Sequence, residues 1–125
     1  MHKINLAEKF NQFTAHWSPK IVAELNGQHV KLVKFAGDFV WHHHPSEDEL
    51  FLVVEGEFEM QHRDSSGLTH SIPLKSGEFL VVPRGVEHRP VAAKEVSVLL
   101  FEPVGTLNTG TANPSPLTVA NPEQI

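Results

Sequence analysis

The sequence predicts an all-β sandwich or barrel. Short runs rich in Val, Ile, Leu and Phe, about nine of them, recur along the chain. Turn signals built on Gly, Asn, Asp, Ser and Pro separate them. Strands do not alternate with long helical patterns, as a βαβ fold would require. The 125 residues suit one domain, and 40% hydrophobic content is enough for one core.

Asn5 followed by Glu8 has the form of a capping box ahead of a short helix, Leu6 to about Phe13. Leu6, Phe10 and Phe13 fall near one face of it, suited to packing on a barrel exterior. Trp17 and Pro19 mark a loop. Ile21 to Leu25 and His29 to Phe35 are β-rich and flank Asn26-Gly27, a strong hairpin signal. Ala36-Gly37-Asp38 turns the chain into Val40 to His44, read as a strand. Pro45-Ser46 is a turn, and Glu49 to Val54 is the next strand, ending at Glu55-Gly56. Phe58 to Arg63 returns antiparallel, and Asp64 to Gly67 turns into Leu68 to Leu74. Lys75-Ser76-Gly77 leads to Phe79 to Val82, and Pro83-Arg84-Gly85 to Val86 to Val91. Val96 to Phe101 is almost uniformly apolar, which predicts burial on both faces.

From Pro103 the composition shifts to Thr, Asn, Gly and Pro. An extended, irregular tail is expected. Leu107, Leu117 and Val119 offer contacts to the barrel or to a second subunit, and a loose end over about the last ten residues is the alternative.

One stretch carries chemistry. In a strand, residues two apart share a face, so His42 and His44 point one way and His43 the other. On the following strand Glu49, Phe51 and Val53 share a side. If that side is the one with His42 and His44, a carboxylate joins two imidazoles, a donor set suited to first-row divalent ions. His88, just past a tight turn, is a candidate fourth ligand. The other five histidines, His2, His16, His29, His62 and His70, lack partner spacing and are read as surface or structural. Trp41 is read as a packing residue beneath the ligand strand. Gln61, Arg84, Arg89 and Glu102 are polar side chains that sequence alone does not place inside or outside. No catalytic base is identified beyond the ligands.

These residues resemble the cupin superfamily, and within it the small single-domain cupins, a cupin-2-like barrel of the mannose-6-phosphate isomerase-like group. Gly37, His42, His44, Glu49 and Gly56 follow the first cupin motif, with one residue fewer between Gly37 and His42. Gly77, Pro83, Gly85 and His88 follow the second, and Ala92 stands where the family often has asparagine. The resemblance implies a double-stranded β-helix, or jelly-roll barrel, with a short N-terminal helix. One divalent transition metal would be held by His42, His44, Glu49 and His88, with Fe, Mn, Ni, Co and Zn all admissible. The single domain, residues 1–125, then divides into a helical arm (1–18), a barrel (19–102) and a tail (103–125).

A metal with open positions acting on a small oxygenated molecule, as an isomerase or a dioxygenase, is one expectation. A non-enzymatic, metal-stabilised module that binds a small molecule such as a sugar is the second. A structural protein without metal is the third. Neutral imidazole is needed for ligation, so affinity should fall below about pH 6 to 6.5. The net charge of −5, with dispersed basic residues, argues against nucleic acid. No apolar run has the length of a membrane span, and the N-terminus lacks the apolar core of a signal peptide. With no cysteine, a cytoplasmic setting is compatible. The resemblance also implies a homodimer.

Overall fold

A computed structural model describes residues 1–125 as one short helix and eight strands. Helix α1 (Leu6–Phe10) starts where the capping signal places it. The Asn5 side-chain oxygen accepts a hydrogen bond from the Glu8 backbone N–H at 3.0 Å. The helix stops at Phe10, short of the expected Phe13, yet the two rings still meet with centroids 5.9 Å apart.

The strands are β1 (Lys20–Leu25), β2 (Gln28–Asp38), β3 (Glu49–Glu55), β4 (Glu57–Arg63), β5 (Thr69–Lys75), β6 (Phe79–Val82), β7 (His88–Pro103) and β8 (Glu123–Gln124). They run in the order β5–β4–β7–β2–β1–β8, with β3 pairing both β6 and β7. This is an all-β jelly-roll barrel with a small N-terminal helix. The β1–β2 hairpin turns at Asn26-Gly27, with φ of 52° and 77°. Two successive positive φ values define the turn whose twist matches the flanking strands.

Strand β7 organises the rest. Its first half pairs with β4, and its second half lies between β2 and β3. The sequence reading divided it into two strands, Val86 to Val91 and Val96 to Phe101. The chain instead stays extended through Ala93-Lys94-Glu95, where the register with β2 shifts between Phe35 and Gly37. A bulge absorbs extra residues without ending a strand. The expectation that Val96 to Phe101 is buried on both faces is also corrected. Val96, Val98 and Leu100 face the core, while Ser97, Leu99 and Phe101 are only partly covered.

The core gathers Val33, Phe35, Phe51, Val53, Phe58, Met60, Val96, Val98 and Leu100 from the inner faces of the strands. Each such side chain contributes about 1.5–3 kcal/mol by leaving water. Trp17 caps one end, stacked on Phe35 and Phe39 with centroids 4.6 Å from each. On the outer face of β2, Leu32 is buried under Phe10 and Phe13. This is why Lys31, Leu32 and Val33 are all buried in succession.

Two further readings change. The segment Val40 to His44 is extended but is not a strand of the sheet; its one ladder contact is an isolated bridge, His42 to His88. Its other carbonyls are taken elsewhere: Gly85 N–H donates to His44 O at 2.9 Å, and Thr111 N–H donates to His43 O at 3.1 Å. Nor is the end of the chain loose. Glu123 and Gln124 pair in parallel with β1, and Thr109 is fully buried. The Asn108 side chain donates to Leu117 O at 2.8 Å and accepts from Val119 N–H at 2.9 Å. Side chains that bond to backbone hold this segment where apolar burial alone would not.

Candidate metal centre

Three separate pieces of chain bring four side chains together. Glu49 opens β3, His88 opens β7, and His42 and His44 sit on the extended segment bridged to His88. The two-residue period puts both imidazoles on the barrel side. All four are buried, with exposures of 4% for His42, 3% for His44, 3% for Glu49 and 0% for His88. One donor atom from each lies within 4.8 Å of every other, so the group could hold a metal ion. Donors about 2.1 Å from a common ion stand at most about 4.2 Å apart. A contraction of a few tenths of an ångström therefore closes the set.

The polar atoms at the centre support that fit. His44 Nε2, His88 Nε2 and Glu49 Oε1 are buried and have no hydrogen-bond partner. Separations of 3.4 Å from His44 Nε2 to Glu49 Oε1, and 3.7 Å from His88 Nε2, are too long for good hydrogen bonds. Leaving such groups unpaired in the interior is costly, and a cation shared among them resolves all three. The far side of two rings is occupied: His42 Nδ1 lies 2.9 Å from Val40 O, and His88 Nδ1 lies 2.8 Å from Val86 O. A carbonyl only accepts, so Nδ1 carries the proton and Nε2 keeps its lone pair for the centre.

Charge distribution follows burial. Desolvation first, and then the neighbouring His88, lower the His42 pKa to about 4. Burial pushes the Glu49 carboxyl upward, but the neighbouring Glu102, His44 and His88 outweigh it and hold the group well below the usual range. Glu102 moves the other way, raised by burial and then by the negative charge of Glu49. The structure therefore keeps His42 neutral and Glu49 ionised at neutral pH, the forms that a cation needs.

Beside the centre lies a small, half-open apolar pocket of about 30 Å³. His42 and Glu49 reach it, and Trp17, Phe35, Phe39, Phe51, Leu100 and Asn108 form much of its wall. No lysine or arginine lines it. Phe51 lines the pocket, while Val53 lies in the core and Val40 packs against it.

The remaining polar candidates are placed as follows. Arg84 is exposed and paired with Asp48, Nε to Oδ1 at 3.2 Å and Nη2 to Oδ2 at 3.3 Å, away from the pocket. Arg89 donates to Gln61 at 2.8 Å. Trp41 does not pack beneath the ligand segment. Its ring lies under two guanidinium groups, Arg63 at 3.9 Å and Arg89 at 5.2 Å. Glu102 is inside, against Glu49. Sequence reasoning missed Lys31, Asn108 and the aromatic pair Trp17 and Phe39. Only Lys31 left a signal: it shares strand parity with Val33 and Phe35, a charged residue on a core face.

The family model of the cupin domain matches residues 28–102. The chain is similar to "Uncharacterized protein YdbB" of Bacillus subtilis (strain 168), 40% identical over 68 residues. That match spans 54% of this chain and just over half, 57%, of that relative. It is also similar to the crystal structure of a cupin-2 domain containing protein from Shewanella frigidimarina NCIMB 400. The two are 45% identical with a TM-score of 0.75, covering 80% of this chain and 93% of that one. Hydroquinone 1,2-dioxygenase from Sphingomonas sp. TTNP3 superposes with a TM-score of 0.71 at 16% identity, over 80% of this chain and 32% of that one. The last is a likeness of fold alone.

Proposed function

The chain belongs to the cupin family, and on that footing we propose that His42, His44, Glu49 and His88 hold one divalent transition metal that acts on a small, neutral, oxygenated molecule in the adjoining pocket. The observation that carries this reading is the trio of buried, unpartnered atoms, His44 Nε2, His88 Nε2 and Glu49 Oε1, facing one another. When bound, the metal supplies Lewis acidity and, for a redox-active ion, oxygen activation.

The chain's own groups define what that chemistry meets. Val40 O and Val86 O keep the Nε2 atoms of His42 and His88 free of protons and turned inward. Glu49 contributes the negative charge that binds a cation in a dry site. Trp17, Phe35, Phe39 and Phe51 make the wall beside the ligands apolar, which favours the uncharged part of a small oxygenated molecule there. A sugar-phosphate isomerase would need a cation where the phosphate sits, and the pocket wall offers none. Of the two reaction types, oxidation of a neutral aromatic or dicarbonyl compound by a dioxygenase is therefore the better supported.

A second reading has an observation of its own. No acid or base lines the pocket apart from Glu49 and His42, themselves in the ligand set. A module that binds a small molecule without changing it needs no more than that. Fe(II)-, Mn(II)- and Co(II)-loaded protein, assayed for oxygen uptake against neutral phenols and diketones, tests both. Uptake lost in His42→Ala supports the enzyme. Saturable binding without uptake, with the ligand recovered intact, supports the module. Failure to bind any of these ions overturns the metal reading altogether. The homodimer is likewise a proposal, supported by Phe79 and Val81 on β6, 62% and 50% exposed.

A further inference from the structure

Lys31 and Glu102 are 2% and 1% exposed, yet neither lines the pocket nor belongs to the group of four. A buried ion pair is seldom more stabilising than apolar side chains of the same size. Its retention beside Glu49 asks for a role other than stability.

The sheet register supplies one. Leu50 pairs with Phe101, which sets Glu49 opposite Glu102 on adjacent antiparallel strands. Both side chains share the inner face with Phe51 and Leu100, at the separation where cross-strand neighbours touch. On the other side of β7, Lys31 pairs with Leu100 and also points inward. Its Nζ donates to Glu102 Oε1 at 2.9 Å and to Thr106 O at 3.4 Å. Three strands thus bring Lys31, diagonally across from Glu102, and Glu49, beside it, onto one inner face. Glu102 Oε2, at the open end of the ion pair, has no hydrogen-bond partner.

We propose that Lys31 and Glu102 are positioning residues for Glu49, a role that rests on the metal centre proposed above. Lys31 fixes the Glu102 carboxyl by one oxygen. The Glu102 carboxyl is then a rigid wall against which Glu49 rests, with Oε1 turned toward His44 and His88. Partners behind a ligand commonly govern affinity about 10- to 100-fold.

The test is a double substitution, Lys31→Met with Glu102→Leu. It removes both partners of the buried pair together, so neither is left buried without the other. The dissociation constant for Co(II) is measured by chelator competition, and the visible spectrum of the Co(II)-loaded protein reports coordination. The expected result is affinity about 10- to 100-fold weaker and a changed spectrum, with the urea midpoint maintained. Wild-type affinity and spectrum in the folded double variant would overturn the proposal. If that variant does not fold, single substitutions decide. Glu102→Gln keeps an acceptor for Lys31 and is expected to stay within a few-fold of wild type, while Glu102→Ala loses at least about 10-fold. Equal constants for the two would overturn the role. A wild-type protein that binds no Co(II) overturns the centre and this role together; tight wild-type binding with indifferent variants overturns the role alone.

Discussion

His42 and His88 exchange both backbone hydrogen bonds: His42 N–H donates to His88 O at 3.1 Å, and His88 N–H donates to His42 O at 2.9 Å. Their rings lie side by side, centroids 4.3 Å apart. Two residues far apart in the chain are thereby fixed as a directly opposed pair by main chain alone. Backbone hydrogen bonds of the fold thus set half of the ligand group.

That arrangement predicts a metal-free protein that is folded and then stabilised by metal. At a free concentration about 100 times the dissociation constant, the gain is about 2.7 kcal/mol. Thermal melts with and without Mn(II) or Co(II) check it. His42→Ala should keep the fold and lose the shift.

The buried His42 imidazole predicts acid sensitivity of the metal-free protein. Its pKa falls from 6.5 to about 4, so between those values the unfolded chain takes up a proton that the folded chain refuses. Stability is therefore full above about pH 6.5, declines as pH falls, and bottoms out near pH 4. The full difference is on the order of 3 kcal/mol. Urea titrations across that range should show it, and His42→Gln should flatten the slope. Competition by protons for metal at His42 likewise starts lower than the pH 6 to 6.5 expected from an ordinary imidazole.

Gly110→Ala is predicted to damage the centre from a position that is not itself a ligand. With φ of 48°, the glycine back faces the ligand segment, and an added Cβ would collide with the His43 carbonyl and crowd His42 Cδ2 at 3.1 Å. Either the tail lifts or the His42–His43 segment shifts. A loss of about 1–3 kcal/mol is expected, accompanied by weaker metal binding. Melting and chelator competition on the same preparation measure both.

Trp17 separates scaffold from centre. Its Nε1 donates to Ala36 O at 3.0 Å, and its ring is stacked between Phe35 and Phe39. Trp17→Phe keeps the stack and should cost about 1 kcal/mol, with metal affinity unchanged. Trp17→Ala should cost about 3–5 kcal/mol and open the pocket to larger ligands. Urea unfolding and ligand titration distinguish the two.

The legible part of this molecule is the part governed by local periods. His42 and His44 share a face because strand geometry requires it, and Asn26-Gly27 turns because few other pairs tolerate two positive φ values. The convergence of His88 with them came from the order of motifs, not from period. Where several segments compete for the same backbone groups, local reading fails. Val40 to His44 reads as a strand, but Gly85 and Thr111 take the carbonyls that a neighbour strand would use. Asn108 and Gly110 carry no sequence sign of standing near the centre, because a tertiary path places them there. Sequence alone did not place Arg84, because Asp48, which holds it at the surface, stands on another loop.

The two tethers behind His42 and His88 end on carbonyls only two residues upstream. A carbonyl belongs to every amino acid, so replacing the side chain at Val40 or Val86 leaves the tether's acceptor in place. Glu49 has only side chains behind it, and those can drift. Among descendants of this protein, imidazole aim should prove nearly immutable, and the carboxylate arm should be where evolution, or an engineer, finds room to retune the site.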